Sequence, residues 1–336
     1  MSLPVVLAPY AAAFLAFALA CACAVGLAGQ FAFRLLPSPR VPSTWPRAAL
    51  ILAPAILAAI GCAALASPDP FVGCHCAAHG LHHPHLCTSH PSLALSLVTP
   101  ALCLLGIWLS VAAPRLFGLG RSVIAGARWT RRARSLPSLQ ICGVAVRLAD
   151  CGSRGAFTIG ALSPFIVIDR GLWISLSDEA RLAVAYHEHG HVRRRDGLTL
   201  LALRLCVALF PTPGGARLLA AWRAAAEGAC DFYAAERLGD AAAVAATLVT
   251  VERLRAQSAP EDAAIPAGAL GIAAGGDLER RVLALLDRGD RSAEPSLGND
   301  LLTSSLAALG AVAVTIAWPG DMVHHTIETL IGSLIS

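Results

Sequence analysis

Residues 178–195 read DEARLAVAYHEHGHVRRR, and inside that stretch His187, Glu188 and His191 form the pattern His-Glu-x-x-His. On an α-helix, residues four apart lie on one face. His187 and His191 can therefore turn imidazole nitrogens toward one metal ion, with Glu188 placed as a general base beside it. His189 stands two positions from each of them and points elsewhere. Ser177, Asp178 and Glu179 supply an N-cap and an acidic first turn, so the spacing predicts a helix running through 181–195.

A catalytic zinc ion takes three protein ligands and keeps one position open. Residues 227–231 read EGACD, where Glu227 and Asp231 are again one helical turn apart. They fall in a second predicted helix, 216–238, which stops at Gly239. Glu227 is the expected third ligand, and Asp231 the expected partner that orients a ligating histidine. Cys230 is the softer alternative ligand, adjacent to Asp231 and off the face of Glu227. The reaction these residues suit is peptide hydrolysis, with Glu188 taking a proton from water and returning it to the leaving amine. Tyr233 is the candidate for stabilising the oxyanion, on proximity in sequence alone.

Upstream, 141–148, 156–160 and 165–169 read as strands, with the DCGSRG segment at 150–155 as a turn. The strand near 157–160 is suited to pairing with an extended substrate. The apolar stretch 198–210 is too short to span a bilayer and ends in the breaker run PTPGG at 211–215. It reads as a helix packed in the protein or against the membrane face.

The rest of the chain is unlike a soluble domain. Of its 336 residues 56% are hydrophobic and only 14% charged, against about 25% charged in ordinary soluble proteins. The net charge of +4 comes entirely from arginine, since there is no lysine, and does not point to nucleic acid. Residues 5–33, 48–66, 93–113 and 301–318 are apolar enough to cross a bilayer, which takes about 20 residues. The first lacks a basic leader and runs too long for a signal peptide, so it reads as a retained span.

Arginines orient these spans. Arg34, Arg40 and Arg47 fill the loop between the first two, and Arg115, Arg121, Arg128, Arg131, Arg132 and Arg134 follow the third. None lies between Arg47 and Arg115. The expected topology has the amino terminus outside, 115–300 in the cytoplasm and the tail 319–336 outside. The fold class expected is thus a multi-span α-helical membrane protein of the cell membrane. Residues 1–114 carry three spans and 301–318 a fourth, around a cytoplasmic α+β zincin-like metallopeptidase domain.

HEHGHVRRRDGL, EGACDFYAAERLG and FTIGALSPFIVIDRGLWISLSDEAR together resemble the integral-membrane gluzincin metallopeptidases of the BlaR/MecR antirepressor type. The order of spans, protease and last span is similar too. The resemblance implies a sensor-transducer whose zinc protease removes a cytoplasmic winged-helix repressor after a signal arrives outside, often with self-cleavage. This chain lacks the penicillin-binding domain of those sensors, having only 319–336 after the last span, so beta-lactam sensing is not expected. The partners implied are a cytoplasmic protein substrate and membrane lipid, with a homodimer left open and no direct nucleic acid.

The outward loop 68–92 is itself unusual. Cys74, His75, Cys76, His79, His82, His83, His85, Cys87 and His90 place nine ligand-type side chains in one short segment. Thiolate and imidazole favour zinc, copper or nickel, so a second metal bound there is a candidate signal. A disulfide among the three cysteines, or an incidental polar loop, is the plainer reading. Two rival functions stand beside the antirepressor: a membrane quality-control protease of the HtpX type, and a metal-binding membrane sensor whose centre is not catalytic. The second has no use for Glu188.

Overall fold

The computed structural model describes residues 95–152, 154–210, 214–257 and 278–288, together with 44, 47–49, 51, 52 and 56. The expected spans 5–33 and 301–318, the tail 319–336 and the loop 68–92 with all nine of its ligand-type residues lie outside the described residues. So do most of 48–66 and part of 93–113. Among the described residues no helix is long and apolar enough to cross a membrane.

Helix α1, Leu95–Arg134, leads into four strands: β1 Ser138–Ile141, β2 Val144–Ala149, β3 Ala156–Ile159 and β4 Phe165–Asp169. They form one sheet in the order β1-β2-β4-β3, with β2 parallel to β4 and the outer pairs antiparallel. The expected single strand 141–148 is instead the turn and second arm of a hairpin. Cys142 and Gly143 both have positive φ, 47° and 82°, the geometry of a two-residue turn that matches strand twist. The apolar run ICGVAV hides this reversal, because Gly143 is the only turn residue within it.

Strand β4 shows why a buried strand reads as continuously apolar. Ile166 and Ile168 enter one core with Val146, Leu172 and Val184, while Val167 between them enters another with Phe157, Ile159 and Ala133. Side chains alternate across the sheet, so both faces are covered. The covering on the second face comes from the end of α1, where Trp129 meets Phe157 edge-on at 5.3 Å between ring centroids.

After β4 come α2 Arg170–Ser175, α3 Asp178–Arg194, α4 Asp196–Leu209, α5 Gly215–Leu238, α6 Ala241–Ala256 and α7 Leu278–Arg288. Asp169 ends β4 and caps α2, accepting from Gly171 N and Leu172 N, while its second oxygen accepts from Cys151 N at 2.9 Å. Ser177 caps α3 as the sequence implies, through Ala180 N. Asp240 caps α6, one residue after Gly239 ends α5 in the left-handed region at φ 77°. Helices α6 and α7 add Val244, Leu248, Val251 and Leu285 to the larger core.

Two local features set the geometry around α3. Arg195 adopts φ 53° and ψ 38°, so α3 stops there and α4 starts at the next residue in a new direction. A non-glycine residue in that conformation costs about 1–3 kcal/mol and persists only where its surroundings enforce it. Gly190, in turn, lets α3 approach α5 closely. A Cβ there would stand 3.0 Å from Cys230 Sγ and 3.3 Å from Cys230 Cα.

Candidate metal centre

The pattern residues of α3 and the carboxylate of α5 come together as the spacing predicts. His187 Nε2 lies 3.5 Å from Glu227 Oε2, and His191 Nε2 lies 3.5 Å from Glu227 Oε1. The two rings meet edge-on, 5.1 Å apart. His187, Glu188, His191 and Glu227 are all buried.

The histidines are oriented from behind. His191 Nδ1 donates to Asp196 Oδ2 at 2.8 Å. A carboxylate only accepts, so the proton sits on Nδ1 and the Nε2 lone pair faces the centre. His187 Nδ1 makes a close polar contact of 2.9 Å with Asp231 Oδ1, outside good hydrogen-bond alignment. Each aspartate is in turn engaged by an arginine. Arg281 on α7 grips Asp231 with two bonds of 2.7 Å. Arg194 Nε reaches both oxygens of Asp196 at 3.2 Å.

On the inner side, His187 Nε2, His191 Nε2, Glu227 Oε2 and Glu188 Oε1 are buried without a hydrogen-bond partner. Such atoms are costly to bury unless something satisfies them. Their convergence fits a divalent cation, since the ligand atoms of His187, His191 and Glu227 all lie within 4.8 Å of one another. Two imidazoles and a carboxylate are the donor set of a catalytic zinc site with a position left open. With the histidines neutral and all four carboxyls ionised, Glu188, Glu227, Asp196 and Asp231 against Arg194 and Arg281 leave two negative charges for a cation to balance.

The ionisation of these groups follows from burial and neighbours. Burial drives the Glu227 carboxyl up, but the two histidines in their protonated form, toward which both are shifted, outweigh it and hold the group well below the ordinary carboxylate range. The neutral tautomer with a free Nε2 is the one a bound cation would require. Burial likewise pushes Asp231 up, and Arg281 beside it wins, keeping it ionised. For Glu188 burial dominates and raises its pKa, partly opposed by the histidines. Thr158 of β3 steadies it: Oγ1 stands 2.9 Å from Glu188 Oε2 and 3.0 Å from its backbone oxygen.

Cys230 is buried behind the centre, with Sγ 3.3 Å from His191 Nδ1 and 3.9 Å from Asp196 Oδ2. It forms a second grouping with His191 and Asp196, but that grouping needs the Nδ1 already engaged by Asp196. Burial also pushes the thiol up to about 11. Glu227 stands on the Nε2 side of both histidines, whereas Cys230 touches His191 on its Nδ1 side. Tyr233 is a correction: its hydroxyl pairs with His189 Nδ1 at 3.0 Å, and Arg193 and Arg237 lie against its ring. It belongs with the histidine that faces away from the ligands, not with an oxyanion.

Four contributors escape a reading by helical spacing. Asp196 is five residues beyond His191, off its face in any straight helix, and reaches it only because Arg195 breaks the helix. Arg194 follows from that same break. Arg281 comes from α7, far along the chain, with no local pattern to mark it. Thr158 was visible as a strand residue but not as the neighbour of Glu188.

These features fit a metallopeptidase site on a small α+β, zincin-like domain. Residues 137–271, less than half of the chain, match the model of Peptidase family M48, so this stretch is similar to a metallopeptidase family. No curated protein and no solved structure matches the chain. The likeness to the BlaR/MecR type has no counterpart among these matches.

Proposed function

We propose that this protein is a membrane-bound zinc endopeptidase that cuts a cytoplasmic protein. The observation that carries the reading is the meeting of His187 Nε2, His191 Nε2 and the Glu227 carboxylate beside a buried Glu188. Zinc bound there supplies Lewis acidity that polarises a peptide carbonyl and acidifies water. Glu188 takes the proton of the attacking water at Oε1, the oxygen left unpaired, while Thr158 holds Oε2. The same carboxyl, protonated, delivers that proton to the leaving amine. Asp196 keeps the His191 imidazole in the orientation and tautomer that leave Nε2 free, and Asp231 stands against His187 Nδ1.

Strand β3 is at one end of the sheet. Asp169 N donates to Gly155 O, so in this antiparallel register Phe157 and Ile159 bond toward β4. The backbone groups of Ala156 and Thr158 then point away from β4, and all four residues of β3 are buried. An extended peptide adds there as a further strand once that edge is uncovered, bringing its carbonyl beside Glu188.

The finer reading follows the antirepressor resemblance: the substrate is a winged-helix repressor, the protease faces the cytoplasm, and the loop from Cys74 to His90 receives a metal signal outside. The arginine distribution supports the orientation and the density of ligand-type residues supports the signal. A general membrane protease of the HtpX type is the second reading, supported by a family match that is not specific to antirepressors.

Purified Glu188→Gln tests the chemistry. It keeps stoichiometric zinc and loses cleavage of casein and of the chain itself. Wild-type rates in that variant would refute the reading. A cysteine introduced at Ser292 stays unlabelled by an impermeant maleimide on intact cells, whereas labelling would place the protease outside.

A further inference from the structure

The position of Asp196 behind His191 does not end with Arg194. Arg194 Nη2 donates to Thr44 Oγ1 at 3.0 Å, across 150 residues of sequence. Thr44 is buried, and its backbone oxygen accepts from Ala48 N at 3.0 Å. Four and seven residues on, Ala48 and Ile51 are buried in one cluster with Leu200 and Leu203 of α4 and Leu218, Trp222 and Ala226 of α5. A segment from the start of the apolar stretch 48–66 is thus fastened to the peptidase domain twice, by apolar packing on the helices and by one hydrogen bond.

That bond reaches the metal centre in three steps: Thr44 Oγ1 to Arg194 Nη2, Arg194 Nε to Asp196, Asp196 Oδ2 to His191 Nδ1. Arg194 is the only member that spans both sides. Its guanidinium is planar, so fixing Nη2 on Thr44 fixes the direction in which Nε meets Asp196. Asp196 itself is reached through the strained turn at Arg195, a junction with few ways of relaxing by small steps. A displacement of Thr44 therefore has a continuous hydrogen-bonded path to the ring of His191.

We infer that Thr44, Arg194 and Asp196 are a line of positioning residues through which the segment before the second apolar stretch sets the metal affinity of the centre. The inference rests on the zinc site proposed above and deepens it, because it names where a change in the amino-terminal segments enters the domain. A ligand or movement that draws residue 44 away from Arg194 loosens His191 and weakens the bound state, and one that seats it does the reverse.

The test uses the full chain in nanodiscs, with zinc affinity measured by chelator competition and the visible spectrum of the cobalt-substituted protein as a second readout. Thr44→Val, which removes the hydroxyl and keeps the bulk, weakens zinc binding about 3- to 10-fold. Arg194→Met weakens it by about 10-fold or more, the range for loss of an outer partner of a metal ligand. The double variant is no weaker than Arg194→Met alone, since both act on one path. Thr44→Ser retains wild-type affinity and spectrum. Should Thr44→Val fold poorly, Arg194→Lys takes its place: it keeps the charge by Asp196, lacks the second arm, and gives the same loss. Unchanged affinity and cobalt spectrum in both, or additive losses in the double variant, overturn the coupling. Absence of stoichiometric zinc in the wild type would instead overturn the zinc site itself.

Discussion

Arg281 lies flat against Asp231, with Nε to Oδ2 and Nη2 to Oδ1 both at 2.7 Å, and the two residues are buried on different helices. Arg281 Nη1 also stands 3.4 Å from Glu227 Oε2. One guanidinium therefore holds α7 onto α5 at the level of the metal centre, offsetting the charge of Asp231 and part of that of Glu227. Arg281→Met leaves Asp231 buried without its counter-charge, and breaking such a pair costs about 3–5 kcal/mol. Equilibrium urea unfolding should show that loss, with zinc affinity falling in parallel because Asp231 no longer holds His187. A change under 1 kcal/mol would mean that α7 is held by Leu285 and its apolar neighbours alone.

Gly190 predicts a second effect at the same helix pair. In Gly190→Ala the new methyl meets Cys230 Sγ at 3.0 Å and Cys230 Cα at 3.3 Å. Overpacking of this kind costs about 1–3 kcal/mol. Adding Cys230→Ala removes the sulfur and leaves the backbone, so the double variant recovers part of the stability but not all. Full recovery, read from the unfolding midpoint, would show that only the sulfur is in the way.

The catalytic half of the centre was legible from spacing because α-helical periodicity is strict. His187 and His191 had to share a face, and Glu227 and Asp231 had to share another. What spacing could not supply was anything reached by a break in periodicity or by tertiary return. Asp196 depends on a left-handed Arg195, a conformation no propensity assigns to arginine. Arg281 depends on α7, and neither α6 nor α7 was read from the sequence, the first being alanine-rich with no sharp apolar stripe. The sheet was legible where strands were bounded by polar turns, as at 150–155, and misread at Cys142 and Gly143, where the turn lies inside an apolar run.

The assignment of the third ligand has its own test. Glu227→Ala removes one of the three converging donors, and zinc should be lost at stoichiometric loading. Cys230→Ala should keep zinc within a few-fold, since the neutral thiol touches His191 on its Nδ1 side. Asp231→Ala falls between, at about 10–100-fold weaker binding. Elemental analysis after gel filtration ranks the three. Zinc lost in Cys230→Ala and kept in Glu227→Ala would reverse the assignment.

Thr158 joins the edge strand to the general base, and its removal should separate positioning from binding. Oγ1 has one proton, shared between Glu188 Oε2 and the Glu188 backbone oxygen. Thr158→Val has nearly the same shape and keeps β3 packed, but leaves Oε2 without a hydrogen-bond partner, as Oε1 already is. A carboxylate with both oxygens unpaired is harder to keep ionised and freer to rotate. The expected result is a fall of about 10-fold in kcat, within the range general-base catalysis contributes. KM and zinc content should stay near wild type, because the strand edge and the three metal donors are untouched. Thr158→Ser should restore most of the rate. A kcat equal to wild type in the valine variant would show that Glu188 is oriented by its helix alone, and a raised KM with unchanged kcat would place Thr158 in substrate binding instead.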